Sequence, residues 1–266
     1  MKYSLFTPNK PVVFVLLLVL FLSLFARNRI ENFDTTKDYL QGIDIVYWIN
    51  LDRSPERREL MGTVFSDPAF DNVPNRRFSA VDGKTVDVFA YFNPSEKKTP
   101  KLTNVEYACL LSHLEVIRTF SESSYNVALI MEDDMTLEFQ PYWTKTIDEI
   151  IREAPADWEI IQLCYIGEPE KLYDFYRPSA GAYIVNKKGA AKLMRLRQNE
   201  LYDLTKHSSA PYLHADIFIF TYLKTYCYQY PMFIYKDAND SLLHPDHLDS
   251  HEKSKRNIVK MYQARG

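Results

Sequence analysis

Three consecutive carboxylates, Glu132, Asp133 and Asp134, close the apolar run Ala128-Leu129-Ile130-Met131. Like charges side by side repel, so such a triplet is most easily tolerated where a divalent cation or solvent neutralises it. In an extended chain residues i and i+2 project from one face, which lets Glu132 and Asp134 address the same ion. Oxygen ligands of this kind suit Mn2+ or Mg2+. The plain alternative is a solvated strand end followed by a loop. Other residues able to do chemistry are spread along the chain. Arg53, Arg57 and Arg58 are cations fit to meet phosphate oxygens. Asp216 heads an otherwise apolar segment, His214-Ala215-Asp216-Ile217-Phe218, and His244, His247 and His251 recur at H-x-x-H-x-x-x-H spacing.

These residues need elements to position them. Ile43 to Leu51 has the β-branched and aromatic density of a strand, and Ser54 with Pro55 then opens a helix through Met61. Arg76 to Val81 is a second strand ended by Asp82-Gly83, where glycine permits a tight turn. Thr103-Asn104-Val105-Glu106 fits a capping box, so a helix runs from about Asn104 to Phe120 with Cys109, Leu110, Leu114 and Ile117 inward. The carboxylate strand follows directly. Beyond it the pattern predicts a helix from Tyr142 to Arg152, strands at Trp158–Cys164 and Ala182–Val185, a helix capped by Asn186, a helix from Ala215 to Lys224 and a strand near Tyr228–Tyr235. Strands alternating with helices indicate one α/β domain with a mainly parallel central sheet, whose ligands bind at the strands' C-terminal edge.

Composition narrows the function classes. The net charge of −3 offers no general basic surface, so nucleic acid is not expected as a partner. The three cysteines, Cys109, Cys164 and Cys227, have no C-x-x-C spacing and sit among apolar residues, which predicts buried free thiols. The segment Pro11 to Ala26 is almost purely apolar and flanked by Lys10 and Arg27, as expected of a membrane segment. Leu24 spoils a small-x-small cleavage site before Ala26, which favours an uncleaved signal anchor over a signal peptide. The expected organisation is a short tail (1–10), a transmembrane anchor (11–26), a stem (27–42), a catalytic domain (43–250) and a basic tail (251–266) that is either a terminal helix or without regular structure. The charge balance leans weakly towards a lumenal or otherwise non-cytosolic domain.

Taken in order, five motifs resemble glycosyltransferase family 25, which contains lipooligosaccharide and procollagen galactosyltransferases. They are Ile49-Asn50-Leu51-Asp52-Arg53 with Arg57-Arg58; Phe78-Ser79-Ala80-Val81-Asp82-Gly83; Ala108-Cys109-Leu110-Leu111-Ser112-His113; Ala128 to Asp134; and Gly181-Ala182-Tyr183-Ile184-Val185. The resemblance runs from about Ile43 to His247. It implies a GT-A-type nucleotide-sugar-binding fold, a UDP-sugar donor, Mn2+ or Mg2+, and inverting transfer of a hexose to a hydroxyl of a glycan or protein.

On that basis Asp134 is the expected metal ligand, with Glu132 or Asp133 supporting it or touching the ribose, and His244 closing the site from the C-terminal side. Asn50, Leu51, Arg53, Arg57, Asp82, Ser112 and His113 are expected to meet the donor. For Arg57 and Arg58 a solvated helix face is the alternative, for Asp82 an ordinary turn, and for His113 a packing role. An inverting transfer needs a general base to take the acceptor hydroxyl's proton, and Asp216 is the candidate, with helix capping as its other reading. Two competing readings stay open: a metal-dependent hydrolase using the triplet with His244, His247 and His251, and an inactive carbohydrate-binding family member.

Overall fold

The structure, a computed structural model, describes residues 34, 36–93, 102–204, 214–236 and 248–265. The apolar segment 11–26 and the residues His244 and His247 lie outside the described residues. Among the described residues no helix is long and apolar enough to cross a membrane.

Eleven strands are described: β1 (Ile45–Asn50), β2 (Asn75–Ser79), β3 (Val127–Glu132), β4 (Met135–Thr136), β5 (Ile160–Gln162), β6 (Tyr173–Phe175), β7 (Ala182–Asn186), β8 (Arg197–Gln198), β9 (Leu201–Tyr202), β10 (Thr225–Tyr228) and β11 (Ile234–Tyr235). Six α-helices accompany them: α1 (Pro55–Phe65), α2 (Asn104–Ser121), α3 (Ile147–Glu153), α4 (Lys187–Leu193), α5 (Ala215–Tyr222) and α6 (Leu248–Arg265).

Local chemistry explains several boundaries. Thr103 and Glu106 form the expected capping box at the start of α2, and Thr146 with Glu149 forms a second at α3. Tyr142 therefore lies in a preceding 3-10 turn, and the helix foreseen from there begins only at Ile147. The side chain of Asn186 accepts from Gly189 N–H at 2.8 Å and opens α4. Ser54 precedes Pro55 as expected, but its hydroxyl makes no cap hydrogen bond.

Seven strands form one sheet in the order β2-β1-β3-β7-β5-β10-β6. The pairings β1–β2, β1–β3 and β5–β10 are parallel, whereas β3–β7, β5–β7 and β6–β10 are antiparallel. The sheet is therefore mixed, not mainly parallel. The chain leaves β5 and enters β7 without a crossover helix between them, and a connection of that kind does not return a strand in parallel.

Alternate residues of the central strands feed two cores. Val46 and Trp48 of β1 join Leu129, Met131 and Ile184 on one face with Met61 of α1, Ile147 of α3 and Tyr262 of α6. Ile45, Tyr47 and Ile49 join Ala128, Ile130 and Tyr183 on the other, with Leu110 and Leu114 of α2, Leu193 of α4 and Phe218 of α5. All six residues of β1 are buried, as expected of a strand covered on both faces.

That layering sets the site. From β1 the chain passes through α1 on one face to β2, then through α2 on the other face to β3 on the opposite side of β1. The order reverses at β1, and a crevice opens beyond the C-terminal ends of β1 and β3, which is where ligands of open α/β sheets bind. The C-terminal segment is not a separate tail. It forms α6, whose Ile258 and Tyr262 are buried in the first core.

Candidate functional site

A cleft open to solvent occupies this crevice. Its apolar wall comes from Ile49, Ala80, Val81 and Val105, and its polar end from Arg53, Arg57, Asp82, Ser112, His113 and the acid triplet. Leu51, Gly83 and Cys109 complete the lining. Motifs separated by as many as 85 residues thus meet because β1, β2 and β3 are parallel neighbours with aligned ends.

Glu132 ends β3, whereas Asp133 and Asp134 stand in the turn between β3 and β4. Asp133 is buried, with both oxygens engaged: Oδ2 accepts from Asn50 Nδ2 at 2.6 Å, and Oδ1 accepts from Arg57 Nη1 at 2.7 Å. Asn50 is itself spent behind the wall, since Nδ2 also donates to Ser54 O at 3.2 Å and Oδ1 accepts from Arg77 Nε at 2.9 Å. Asn50 does not line the cleft, whereas Asp133 does and also anchors the loop after β3 to the loop after β1. Their short amide and carboxylate groups lock two strand ends together.

Asp134 is differently placed. Its Oδ2 lies 3.6 Å from Arg57, while Oδ1 is buried with no hydrogen-bond partner. Burial, and then the charge of Glu132, push the Asp134 carboxyl up to about 7. Burial works against the Arg57 charge, but Asp134 and Asp133 raise its pKa above the ordinary value. An orphaned hard oxygen in an acid-rich cleft fits a divalent cation, so the residues present suit the ion that the motifs imply. The third expected ligand, His244, lies outside the described residues.

Glu132 points to another neighbour. His113 on α2 has Nε2 3.2 Å from Glu132 Oε1 and Nδ1 2.9 Å from the hydroxyl of Tyr183 on β7. The His113 side chain is 1% exposed yet borders the cleft, so it packs and faces the site at once. Ser112 also borders the cleft while its hydroxyl donates to Ala108 O at 2.7 Å and accepts from Val81 N–H at 2.9 Å, tying the loop after β2 to α2. Asp82 accepts from Arg53 Nε at 2.7 Å. Burial opposes ionisation of Asp82, but the Lys84 N–H and Arg53 hold its pKa below the ordinary value.

Asp216 stands in the first turn of α5 and does not line the cleft. Its Oδ2 accepts from Ser179 N–H at 2.9 Å and its Oδ1 from Ile217 N–H at 2.8 Å. Ser179 has φ of 101°, a conformation that non-glycine residues seldom adopt. Its carbonyl accepts from Gln162 Nε2 at 3.0 Å, and its hydroxyl accepts from Gly181 N–H at 3.1 Å. Gly181 O in turn accepts from Glu132 N–H at 2.8 Å. A chain of contacts therefore runs from Asp216 to the backbone of Glu132.

Sequence reasoning missed Tyr183, the strained Ser179 and the cleft position of Cys109. All three cysteines are free, and Cys164 and Cys227 are buried as expected, but Cys109 borders the cleft. A signal existed for it, because Cys109 and His113 are four apart on a helix and share a face. Nothing local marks Ser179. Of the histidine run only His251 is described, and it packs against Tyr235 with ring centroids 4.9 Å apart.

A family model described as glycosyltransferase family 25 (LPS biosynthesis protein) matches residues 43–204. Procollagen galactosyltransferase 2 of Homo sapiens is 28% identical over 183 residues, covering 58% of this chain and 28% of that protein. A glycosyltransferase 25 family member of Aedes aegypti is 26% identical over 180 residues, covering 58% of this chain and 28% of that protein. The chain thus spans less than a third of the length of these curated relatives. A crystal structure of a glycosyltransferase involved in the glycosylation of the major capsid of PBCV-1 aligns over 82% of this chain and 100% of that chain, at 11% identity and a TM-score of 0.42.

Proposed function

The chain belongs to glycosyltransferase family 25, and from that membership we propose that it moves a hexose, galactose or glucose, from a UDP-sugar to a hydroxyl of a glycan, lipid-linked saccharide or hydroxylysine-type protein acceptor, with inversion and with Mn2+ or Mg2+. The observation that carries this reading is Asp134 Oδ1, a buried carboxylate oxygen without a partner in an acid-lined cleft at the sheet's switch point. The described relatives named procollagen galactosyltransferase support the choice of sugar and acceptor classes.

The cleft's apolar wall of Ile49, Ala80, Val81 and Val105 suits one face of a flat base, with Asp82 at its edge to accept from the base or ribose. Asp134 with Glu132 would hold the cation, joined by His244 from the C-terminal side. A divalent cation there supplies Lewis-acid neutralisation of the diphosphate that departs. Arg57, already committed to Asp133 and Asp134, adds a fixed positive group next to the same diphosphate. Arg53 stands at the cleft mouth, within reach of donor phosphates once released from Asp82. Asp216 takes the proton of the acceptor hydroxyl as it attacks the anomeric carbon; each of its oxygens keeps a further acceptor site beside the N–H it holds. We propose that the apolar segment 11–26 anchors this domain to a membrane with its catalytic part on the lumenal or otherwise non-cytosolic side.

The test is to incubate the full chain in detergent with a panel of UDP- and GDP-sugars and with glycan and hydroxylysine-peptide acceptors, in EDTA or Mn2+, and to measure released nucleoside diphosphate. Metal-dependent turnover with a UDP-hexose is expected, and no turnover with any pair overturns the reading. Asp134→Ala abolishes metal-dependent donor binding. Asp216→Asn leaves donor binding intact and lowers transfer by about 10²-fold or more, the scale of a lost general base. Equal loss of binding in both variants would sink this division of roles.

A further inference from the structure

We propose that Cys109, His113 and Glu132 form a second metal site in the cleft, one that takes a zinc-class ion and differs from the oxygen site expected at Asp134. Cys109 and His113 stand one turn apart on the cleft-facing side of α2, and Glu132 meets them from the end of β3. A ligand atom from each, Sγ, a ring nitrogen and a carboxylate oxygen, lies within 4.8 Å of the other two. Around a tetrahedral zinc ion such atoms stand about 3.5 Å apart, given metal–ligand lengths of about 2.0 to 2.3 Å. Glu132, whose side chain is 33% exposed, has the freedom to close that difference.

The histidine carries the second, independent observation. It is 1% exposed, and Tyr183, fully buried, holds its Nδ1 at 2.9 Å. One ring nitrogen is thereby fixed by an outer partner and the other aimed at the cluster, the arrangement that orients metal-binding histidines. The Tyr183 hydroxyl has no other hydrogen bond among the described residues, so without an ion its O–H donates to Nδ1 and Nε2–H donates to Glu132. Binding changes three bonds. The Cys109 S–H bond gives way to a sulfur–metal bond and its proton leaves to solvent. The imidazole proton moves from Nε2 to Nδ1, and the Tyr183 hydroxyl turns so that its oxygen accepts it while its own O–H gives up the ring nitrogen. Glu132 exchanges the lost N–H for the cation.

The mixed sulfur, nitrogen and oxygen set selects Zn2+ or Cd2+ over Mn2+, which favours oxygen ligands. Three protein ligands beside an open cleft leave the fourth position to water or to a phosphate oxygen. Filling this site draws Glu132 away from Asp134, so Zn2+ inhibits Mn2+-supported transfer. That last consequence rests on the function proposed above, whereas the binding itself does not.

The experiment titrates Cd2+ into the full chain in detergent and follows the ultraviolet sulfur-to-cadmium charge-transfer band. One equivalent is expected to saturate the band; Cys109→Ser removes it, Asp134→Asn retains it, and Zn2+ displaces it. A measurement that needs no variant accompanies this. At a Zn2+ concentration about ten times its dissociation constant, iodoacetamide labelling of Cys109, located by mass spectrometry, slows about tenfold because only the ion-free fraction reacts. Cys164 and Cys227 are buried and do not compete for the reagent. Absence of a band in the unaltered chain, a band that survives Cys109→Ser, or labelling of Cys109 at the same rate with and without Zn2+ overturns the proposal. These outcomes are read without any sugar donor, so they stand apart from the transferase test.

Discussion

Asp134 is where charge, burial and chemistry conflict most directly. Its carboxyl, ordinarily near 3.8, is pushed up to about 7 by burial and by Glu132. A folded-state pKa above the unfolded value contributes stability that is complete below about pH 4 and lost as pH rises through about 7. The metal-free protein is therefore least stable, with respect to this group, under the slightly alkaline conditions where the acid is ionised. Asp134→Asn should be more stable than the unaltered chain at about pH 8 in EDTA, with the advantage shrinking by about pH 5, as read from urea unfolding midpoints. A constant difference across that range would show that Asp134 does not titrate as the geometry requires. At this scale the sequence made the triplet visible, and the family resemblance made Asp134 the expected metal ligand. It could not show that Asp133 is tied to Asn50 and Arg57, which are distant in sequence and adjacent only once β1 and β3 pair.

At the scale of elements, the cleft depends on how closely the loop after β2 approaches the start of α2. A Cβ on Gly83 would lie 2.6 Å from Asn104 O and 2.7 Å from Val105 Cα, both backbone atoms that cannot swing aside. Gly83→Ala must therefore push the loop and helix apart, and strain of this kind costs about 1 to 3 kcal/mol. Because Val81, Asp82 and Val105 wall the cleft, the expected outcome is a donor KM raised about tenfold, equivalent to about 1.4 kcal/mol, with a smaller change in kcat. An unchanged KM would mean that the loop does not shape the donor site. The Asp-Gly turn was legible as a turn, and the capping box at Thr103 placed α2 to within a residue of its observed ends. The direction of β7 was not legible, since Ala182–Asn186 is a buried apolar run that would suit a parallel or an antiparallel neighbour equally.

At the scale of the whole molecule, two helical layers enclose one sheet, and the C-terminal helix completes the layer opposite the cleft-facing α2. Tyr262 of α6 is 6% exposed, stacks on Tyr142 at 5.1 Å, meets Phe139 at 5.4 Å and donates to Pro231 O. Tyr262→Ala removes a large buried ring and should cost about 3 kcal/mol, measured as a fall in urea midpoint. A loss under about 0.5 kcal/mol, the range of a surface substitution, would show that α6 is not part of the core. The sequence left this segment open between helix and irregular tail because its basic residues dominate the composition. Its buried Ser254, Ile258 and Tyr262 repeat at intervals of four, a thin stripe on an otherwise polar helix.

What the sequence determined by itself is therefore the chemistry that is local or ordered along the chain: the acid triplet, the capping boxes, the alternation of strands and helices, and the motif order that marks family 25. Those features rest on backbone geometry within a few residues, or on linear order, and neither needs a partner across the fold. The tertiary structure alone decided which groups face which. It gave Asp133 to Asn50 and Arg57, set His113 between Glu132 and Tyr183, brought Cys109 to the cleft, and bound Asp216 to a strained Ser179. The physical reason is that hydrogen bonding and desolvation act over a few ångströms of space, and residues from α2, β3, β7 and α5 come within that distance only when the sheet and its two helical layers assemble.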